Sequence, residues 1–295
     1  MLLSVSLLLL ILLTPCSDAV IDGFQASRTD ILSQVSVVTR FRNGHTIVCG
    51  AVLIAPSVVL TSAHCVFVEN ELAMTAKITS GVHLHKQSSE QEFWSHALVI
   101  PTKFEKGSKD ANDDVAVVFL PEQATVCLSP ISPQIAKLPS TSSISFIGSS
   151  KKSVSNFQLE TSICYIAGWG RTENEEANYS DVARQMMVRL TVRRLGFKSY
   201  LLAKGVGSSR ACTGDSGSPV YCFIDGKRTL VGTVAQIGSF GSRSPSKPSE
   251  HTSFCRDFEY TFVSDWRESS RRVVEMLEKY GESEQLAEGQ RRCNH

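Results

Sequence analysis

Apolar and polar positions alternate over residues 31–68, and the alternation breaks at Asn43-Gly44 and at Ala55-Pro56-Ser57. A period of two is that of strands, and Gly and Pro are the residues that tight turns demand. The pattern continues as short strands over residues 74–100. A polar loop at 103–113 then leads to Asp114, which opens the apolar, β-branched run Val115-Ala116-Val117-Val118-Phe119-Leu120. Beyond Pro121 the texture changes, because residues 129–160 are rich in Ser and poor in aromatic side chains and read as a surface excursion. Strand patterning resumes near Ile163. Near the end, Trp266, Val273, Val274, Leu277 and Tyr280 place an apolar stripe on a helix over residues 264–280. Ser264 or Asp265 can cap it and Gly281 can end it. The polar residues 282–292 read as a solvated tail.

Three stretches carry candidate chemistry. In Cys212-Thr213-Gly214-Asp215-Ser216-Gly217-Ser218-Pro219 a serine sits among glycines that let the backbone turn and leave N–H groups aimed at a developing charge. Alone, these residue types also make an ordinary surface turn. In Leu60-Thr61-Ser62-Ala63-His64-Cys65 a histidine follows an apolar run and adjoins a cysteine. A lone histidine is commonly structural. Asp114, entering a buried strand, needs a partner because an unpaired buried charge is costly.

Taken jointly, the order His64, Asp114, Ser216 and the surroundings of each resemble the chymotrypsin/trypsin-like serine proteases, from Val20 to about Trp266. Thr61-Ser62-Ala63-His64-Cys65 is similar to that family's histidine box and Asp114-Val115-Ala116-Val117-Val118 to its aspartate box. Cys164-Tyr165-Ile166-Ala167-Gly168-Trp169-Gly170 resembles the entry to its second barrel. The resemblance implies an all-β fold of two six-stranded antiparallel Greek-key barrels with a C-terminal helix. The implied division is 1–19 signal peptide and 20–266 protease domain, with 264–295 as helix and polar tail. Within the domain the first barrel covers about 20–128, an enlarged connection 129–160 and the second barrel about 161–263.

What the resemblance implies chemically is a serine endopeptidase that cleaves peptide bonds through an acyl-enzyme. His64 takes the Ser216 proton and later gives it to the leaving amine. Asp114 holds the histidine tautomer, and the N–H groups of Gly214 and Ser216 form the oxyanion hole. Family position also implies the disulfides Cys49–Cys65, Cys164–Cys222 and Cys212–Cys255, with Cys127 and Cys293 as a fourth pair. Partners are protein or peptide substrates and protein protease inhibitors, acting on a monomer without a cofactor.

Composition adds a compartment. Nine cysteines lie outside any Cys-x-x-Cys zinc spacing, which favours an oxidising environment over metal binding. His83 and His85 share one strand face, where a solvated face is favoured over a metal site. Residues 3–13 are nearly all Leu, Ile and Val, too short to span a bilayer comfortably, and Ser17 and Ala19 supply a small-x-small cleavage pattern. Residues 1–19 therefore read as a secretory signal peptide, although no Lys or Arg precedes the apolar run. A lipoprotein signal ending before Cys16 is the alternative, which Pro15 fits badly. Losing Cys16 leaves an even number of cysteines.

Cleavage after Ala19 exposes Val20-Ile21-Asp22-Gly23, which resembles the mature amino terminus of the family. The resemblance implies that the new α-ammonium of Val20 pairs with Asp215. No basic residue precedes Val20, so signal peptidase itself is expected to make this terminus. Asn178-Tyr179-Ser180 is a glycosylation sequon for a eukaryotic secretory route. Net charge is +1, which suggests neither nucleic acid nor an anionic membrane as partner.

Specificity is where the chain departs from the family. Six residues before the nucleophile, at the base of the primary pocket, relatives that select Lys or Arg carry aspartate; here stands Arg210. A buried guanidinium needs an anion. Selection of acidic residues at the cleavage site is one reading, and an internal pair with Asp257 or Glu259 that fills the pocket is the other. Ala235-Gln236-Ile237-Gly238 replaces the usual Ser-Trp-Gly, so a supporting hydroxyl is missing and Ile237 narrows the pocket. Phe258 stands where a small residue is usual, Ser218 replaces a glycine, and residues 240–253 form a Ser/Pro-rich insertion. A catalytically silent, protease-like binding or regulatory protein with an occluded pocket is the rival from another class. An α/β-hydrolase is excluded by the missing second glycine of Gly-x-Ser-x-Gly and by the order of the three residues.

Overall fold

The computed structural model describes residues 20–80, 91–140, 153–172, 179–239 and 253–293. Residues 1–19, His83, His85, Asn178 and almost all of the 240–253 insertion lie outside the described residues.

Strands dominate. In chain order they are β1 (Phe24–Gln25), β2 (Gln34–Arg40), β3 (Thr46–Ala55), β4 (Val58–Thr61), β5 (Phe67–Val68), β6 (Glu71–Leu72), β7 (Thr75–Ser80), β8 (Glu92–Ser95), β9 (Ala97–Val99) and β10 (Ala116–Phe119). They continue as β11 (Cys164–Gly168), β12 (Arg184–Leu195), β13 (Lys198–Gly205), β14 (Pro219–Ile224), β15 (Lys227–Gly238) and β16 (Tyr260–Asp265). The helices are α1 (Thr102–Glu105), α2 (Asn156–Thr161), α3 (Ser253–Arg256), α4 (Trp266–Lys279) and α5 (Ser283–Arg292).

The first sheet has the order β8-β7-β2-β3-β4-β10-β9. Its two edge strands are halves of one chain segment bent at His96. The first half pairs with β7 and the second with β10, so six segments come close to closing a barrel. In the second sheet β12-β11-β14-β15-β16-β13 closes fully, because β13 returns to β12. Short β1 pairs with the first two residues of β12, ahead of the stretch that pairs with β13. All these ladders are antiparallel. They join the C-terminal helix in the two-barrel architecture that the family resemblance implies.

Alternation explains which face goes where. Val35 and Val37 of β2 point into the first barrel with Leu53, Ile78 and Val118. Gln34, one residue before them on the opposite face, is also buried, because the second barrel covers that face and its side-chain amide donates to the Ala167 carbonyl at 2.6 Å. Val52, Ile54 and Leu60 meet Tyr165, Tyr221, Leu230 and Trp266 in a core shared by both barrels and α4. Asp265 caps α4 by accepting the Arg267 N–H at 2.9 Å. Trp266, Val273, Val274 and Leu277 are buried along one stripe, as their spacing predicts. Tyr280 instead stays half exposed, with its ring 5.1 Å from that of Phe119.

Two expectations need correction. Residues 282–292 are not a solvated tail: α5 buries Leu286, Ala287 and Gln290 against the first barrel. Gln290 donates to the carbonyls of Ile54 and Ala136 and accepts the Leu138 N–H, so a polar residue is buried with its amide satisfied. The connecting segment also contains α2, started by a capping box in which Ser155 and Gln158 satisfy each other's backbone N–H groups. Four disulfides are present: Cys49–Cys65, Cys127–Cys293, Cys164–Cys222 and Cys212–Cys255.

Because Leu286 is wholly buried, Leu286→Ala is expected to lower unfolding free energy by about 2–4 kcal/mol in urea denaturation. A loss below about 0.5 kcal/mol is the result expected of a solvated tail.

Candidate active site

Short connections between strands place the functional groups. β4 ends at Thr61, and a single 3-10 turn, Ala63–Cys65, carries His64. The Cys49–Cys65 bond pins that turn to β3. The loop before Asp114 is held just as firmly. Asp110 accepts the Asn112 N–H at 3.0 Å and starts the turn Ala111–Asp113. Asn112 reaches into the second barrel, donating to the Ser199 carbonyl at 3.1 Å and accepting the Asp265 N–H at 3.0 Å. Buried Asp113 accepts from the Ser108 hydroxyl and from Arg272 of α4.

Asp114 then meets His64 at two points. One carboxylate oxygen accepts the His64 backbone N–H at 3.0 Å, and the other lies 2.8 Å from Nδ1. That contact assigns the proton to Nδ1 and leaves Nε2 as the acceptor. Burial lowers the proton affinity of the imidazole, but the charge and hydrogen bond of Asp114 together outweigh this and hold its pKa above the ordinary value.

Ser216 comes from the second barrel, on the loop leading to β14. Its carbonyl accepts the Gly50 N–H of the first barrel at 2.8 Å. The Gly217 N–H donates to Val234 at 2.7 Å. Gly217 has φ +76°, and a side chain there would run into Thr61 and Gly50, so only glycine fits. Among the described residues, no acceptor takes the N–H of Gly214 or of Ser216. His64, Asp114 and Ser216 line one cleft of about 360 Å³ together with Thr213, Gln236 and Ile237. No direct hydrogen bond joins Nε2 to the Ser216 hydroxyl, and Nε2 lies 3.9 Å from the Cys65 sulfur. Links of this kind tighten when a substrate is bound.

Beneath Ser216, Asp215 is completely buried. Its oxygens accept the N–H groups of Gly170 and Cys212, each at 2.9 Å, and among the described residues no cation pairs with it. Burial pushes this carboxyl up to about 7, against the pull of those two N–H groups. A side chain at Gly170 would collide with the carboxylate. The Val20-Ile21 segment is buried beside the same loop: Ile21 packs on Cys212, and its carbonyl accepts the Arg210 N–H at 3.0 Å. Val20 has φ +50°, a left-handed conformation that is strained for a β-branched residue.

Not every expected site residue converges here. Ile237 lines the cleft; Arg210 and Phe258 are not among its lining residues. The Arg210 guanidinium donates to the carbonyls of Ser209, at 2.8 Å, and Gly207. Its Nε is buried without a partner. Glu259 pairs with Lys204 instead, and among the described residues neither it nor Asp257 forms a salt bridge with Arg210. The Ser218 hydroxyl is also buried without a partner, tight against Gly50 and Gly168. Cys49, His64 and Cys65 are close enough to suggest a metal, but the two sulfurs are bonded to each other and offer no thiolate. Sequence reading missed Gly50, Asn112, Asp113 and Arg272, whose roles depend on contacts across the seam between the barrels. No local pattern marks such residues.

The trypsin family model matches residues 20–258. The chain is similar to chymotrypsin-like elastase family member 1 of Bos taurus, at 26% identity over 244 residues, 79% of this chain and 84% of that protein. The Canis lupus familiaris protein of the same name is 28% identical over 248 residues, with 79% of this chain and 87% of that one covered. Among solved structures, HL collagenase superposes with a TM-score of 0.63 at 17% identity, covering 88% of this chain and 98% of the other, a likeness of fold alone. With two barrels, a shared cleft and a family match over most of its length, the chain belongs to the trypsin family of serine proteases.

Proposed function

We propose that the chain is a secreted serine endopeptidase that works through an acyl-enzyme, with His64, Asp114 and Ser216 as its catalytic residues. The observation that carries this reading is the two-point hold of Asp114 on His64 within a cleft shared with Ser216. Nε2, left unprotonated by that hold, accepts the Ser216 proton as Oγ attacks the substrate carbonyl. Asp114 stabilises the imidazolium that results. The N–H groups of Gly214 and Ser216, without an acceptor among the described residues, donate to the oxyanion. The imidazolium then protonates the leaving amine, and water, deprotonated by the same ring, hydrolyses the ester. Ala235 supplies no hydroxyl to Asp114, so the carboxylate depends on the His64 contacts alone for its orientation within the site.

Activation follows from Asp215. A cut after Ala19 removes the strained φ of Val20 and creates a cation in a segment already buried beside the Asp215 loop. The α-ammonium of Val20 then ionises Asp215 and fixes the Ser216 loop. Secretion, which the disulfides fit, would carry the Asn178-Tyr179-Ser180 sequon past the glycosylation machinery. Among the described residues no helix is long and apolar enough to cross a membrane. Arg210 does not line the cleft and its guanidinium rests on carbonyls of its own turn, so acidic selectivity is assigned from its family position alone: a positive charge there disfavours Lys and Arg side chains and favours Asp and Glu.

Fluorophosphonate labelling of the mature protein tests the catalysis: Ser216 is expected to react and Ser216→Ala to abolish the label. Silence of the mature wild type would favour a protease-like binding protein with an occluded cleft. Asp114→Asn is expected to lower kcat by roughly 10³–10⁴-fold, the scale known for triads of this type. Since His64 must be neutral to act and its pKa is raised, the acidic limb of kcat/KM should lie above the pH expected of a free histidine.

A second test uses linkage. A carboxyl at about 7 when folded and near 3.9 when unfolded destabilises the fold as pH rises between those values, by on the order of 4 kcal/mol. Stability is therefore full below the unfolded pKa and is lost toward pH ~7. Protein carrying a polar extension before Val20 should lose melting temperature over this range, whereas protein beginning at Val20 should not. Parallel curves would rule out the ion pair. For specificity, a peptide library should show enrichment of Asp and Glu at the cleaved residue and its loss in Arg210→Ala; a Lys or Arg preference in the wild type overturns that assignment.

A further inference from the structure

The long hairpin of β12 and β13 ends in a two-residue loop, Gly196-Phe197, with Leu195 paired to Lys198. Phe197 stands at the apex with 112% relative exposure, and Leu195 behind it is 45% exposed. The stretch Arg189-Leu190-Thr191-Val192-Arg193-Arg194-Leu195-Gly196-Phe197-Lys198 contains four cations and no acid, in a chain whose net charge is only +1. Overall neutrality thus conceals a concentrated basic finger. Side chains alternate across a strand, so Arg193 and Leu195 share one face and Arg194 lies on the other. The cations form a collar on both sides, set back from the apex by ~3 Å per residue. Nearby acids only temper this collar: Asp110 lies 3.5 Å from Lys198, and Glu160 accepts the Val192 N–H at 3.0 Å.

We propose that this finger docks the protein on anionic lipid surfaces, with Phe197 and Leu195 in the interfacial layer and Arg193, Arg194 and Lys198 at the phosphates. The layering argues for lipid over a protein groove. An apolar tip followed within a few ångströms by cations matches, in order and depth, the acyl boundary and headgroups of an anionic leaflet. A phenylalanine held fully in water on a tight turn contributes nothing to either core. Just behind the apex the finger is tied to the cleft wall, because Asn112 donates to Ser199 and Lys198 faces Asp110, a residue lining the cleft. Docking therefore sets the cleft beside the membrane and selects surface-bound proteins as substrates. Lipid binding is independent of Ser216 chemistry, so it can fail or succeed whether or not the chain is a protease.

Co-sedimentation of the full mature protein with phosphatidylcholine vesicles, with and without about one third phosphatidylserine, tests this. The wild type is expected to bind only the anionic vesicles and to release as salt rises. Phe197→Ser should weaken the partition about tenfold or more. Replacing Arg193, Arg194 and Lys198 with Gln should weaken it roughly 100-fold, at about fivefold per cation. Phe197→Trp should retain binding and shift its emission to the blue on vesicles. All four positions are exposed, so unchanged melting curves are expected for every variant. Lipid docking is overturned if the wild type binds neither vesicle, if it binds both equally, or if the Phe197→Ser variant binds as the wild type does. It is likewise overturned if the finger variants only raise KM for an acidic protein substrate, which would make the finger a peptide contact.

Discussion

A carboxylate sealed from water, with no cation beside it among the described residues, organises the loop that carries Ser216. Among those residues Asp215 reaches two backbone N–H groups, and these do not compensate for its desolvation. Much around it follows from accommodating that group. Gly170 lies where any side chain would occupy the carboxylate's place, and the Cys212–Cys255 bond fixes the loop's start. The Val20-Ile21 segment, buried with unusual backbone geometry, packs beside the same loop, with Ile21 against Cys212.

The seam between the barrels is the second constraint. One barrel supplies an imidazole and a carboxylate and the other an alcohol, so their relation is only as exact as the seam. Direct polar ties hold it: the Gly50 N–H to the Ser216 carbonyl, the Ser62 hydroxyl to Val234, and the Ser33 hydroxyl to that of Tyr221. Asn112 and Asp113 extend the same seam to the second barrel and to α4. Because these ties are buried or partly buried, a shift of one barrel would leave several polar groups unsatisfied at once, which favours a single relative position.

Local chemistry was legible in the chain wherever a few neighbouring residues sufficed. Asn43-Gly44, the Asp265 cap and the Trp266-to-Leu277 stripe each correspond to what is seen. The strings around His64, Asp114 and Ser216 name the residues that share the cleft. Legibility ended where distant parts meet. Residues 282–292 look polar because Leu286 and Ala287 are the buried apolar side chains of α5, beside Gly289 and Gln290, too few to register as a stripe. The capping box at Ser155 was readable as Ser-x-x-Gln but lay in a Ser-rich stretch that masked it. Arg210 could be placed next to the Ser216 loop by counting, yet the carbonyls its guanidinium meets belong to the fold of its own turn.

The Cys127–Cys293 bond spans 166 residues and closes a covalent ring around the whole second barrel. Chain-entropy models assign such a ring about 5 kcal/mol, taken from the freedom of the denatured chain. Mechanically, the ring makes the second barrel an insertion stapled to the first at both ends. Under pulling force from the termini, the extension released by that barrel stays locked until the bond is reduced, so the protein would lengthen mainly through its first half.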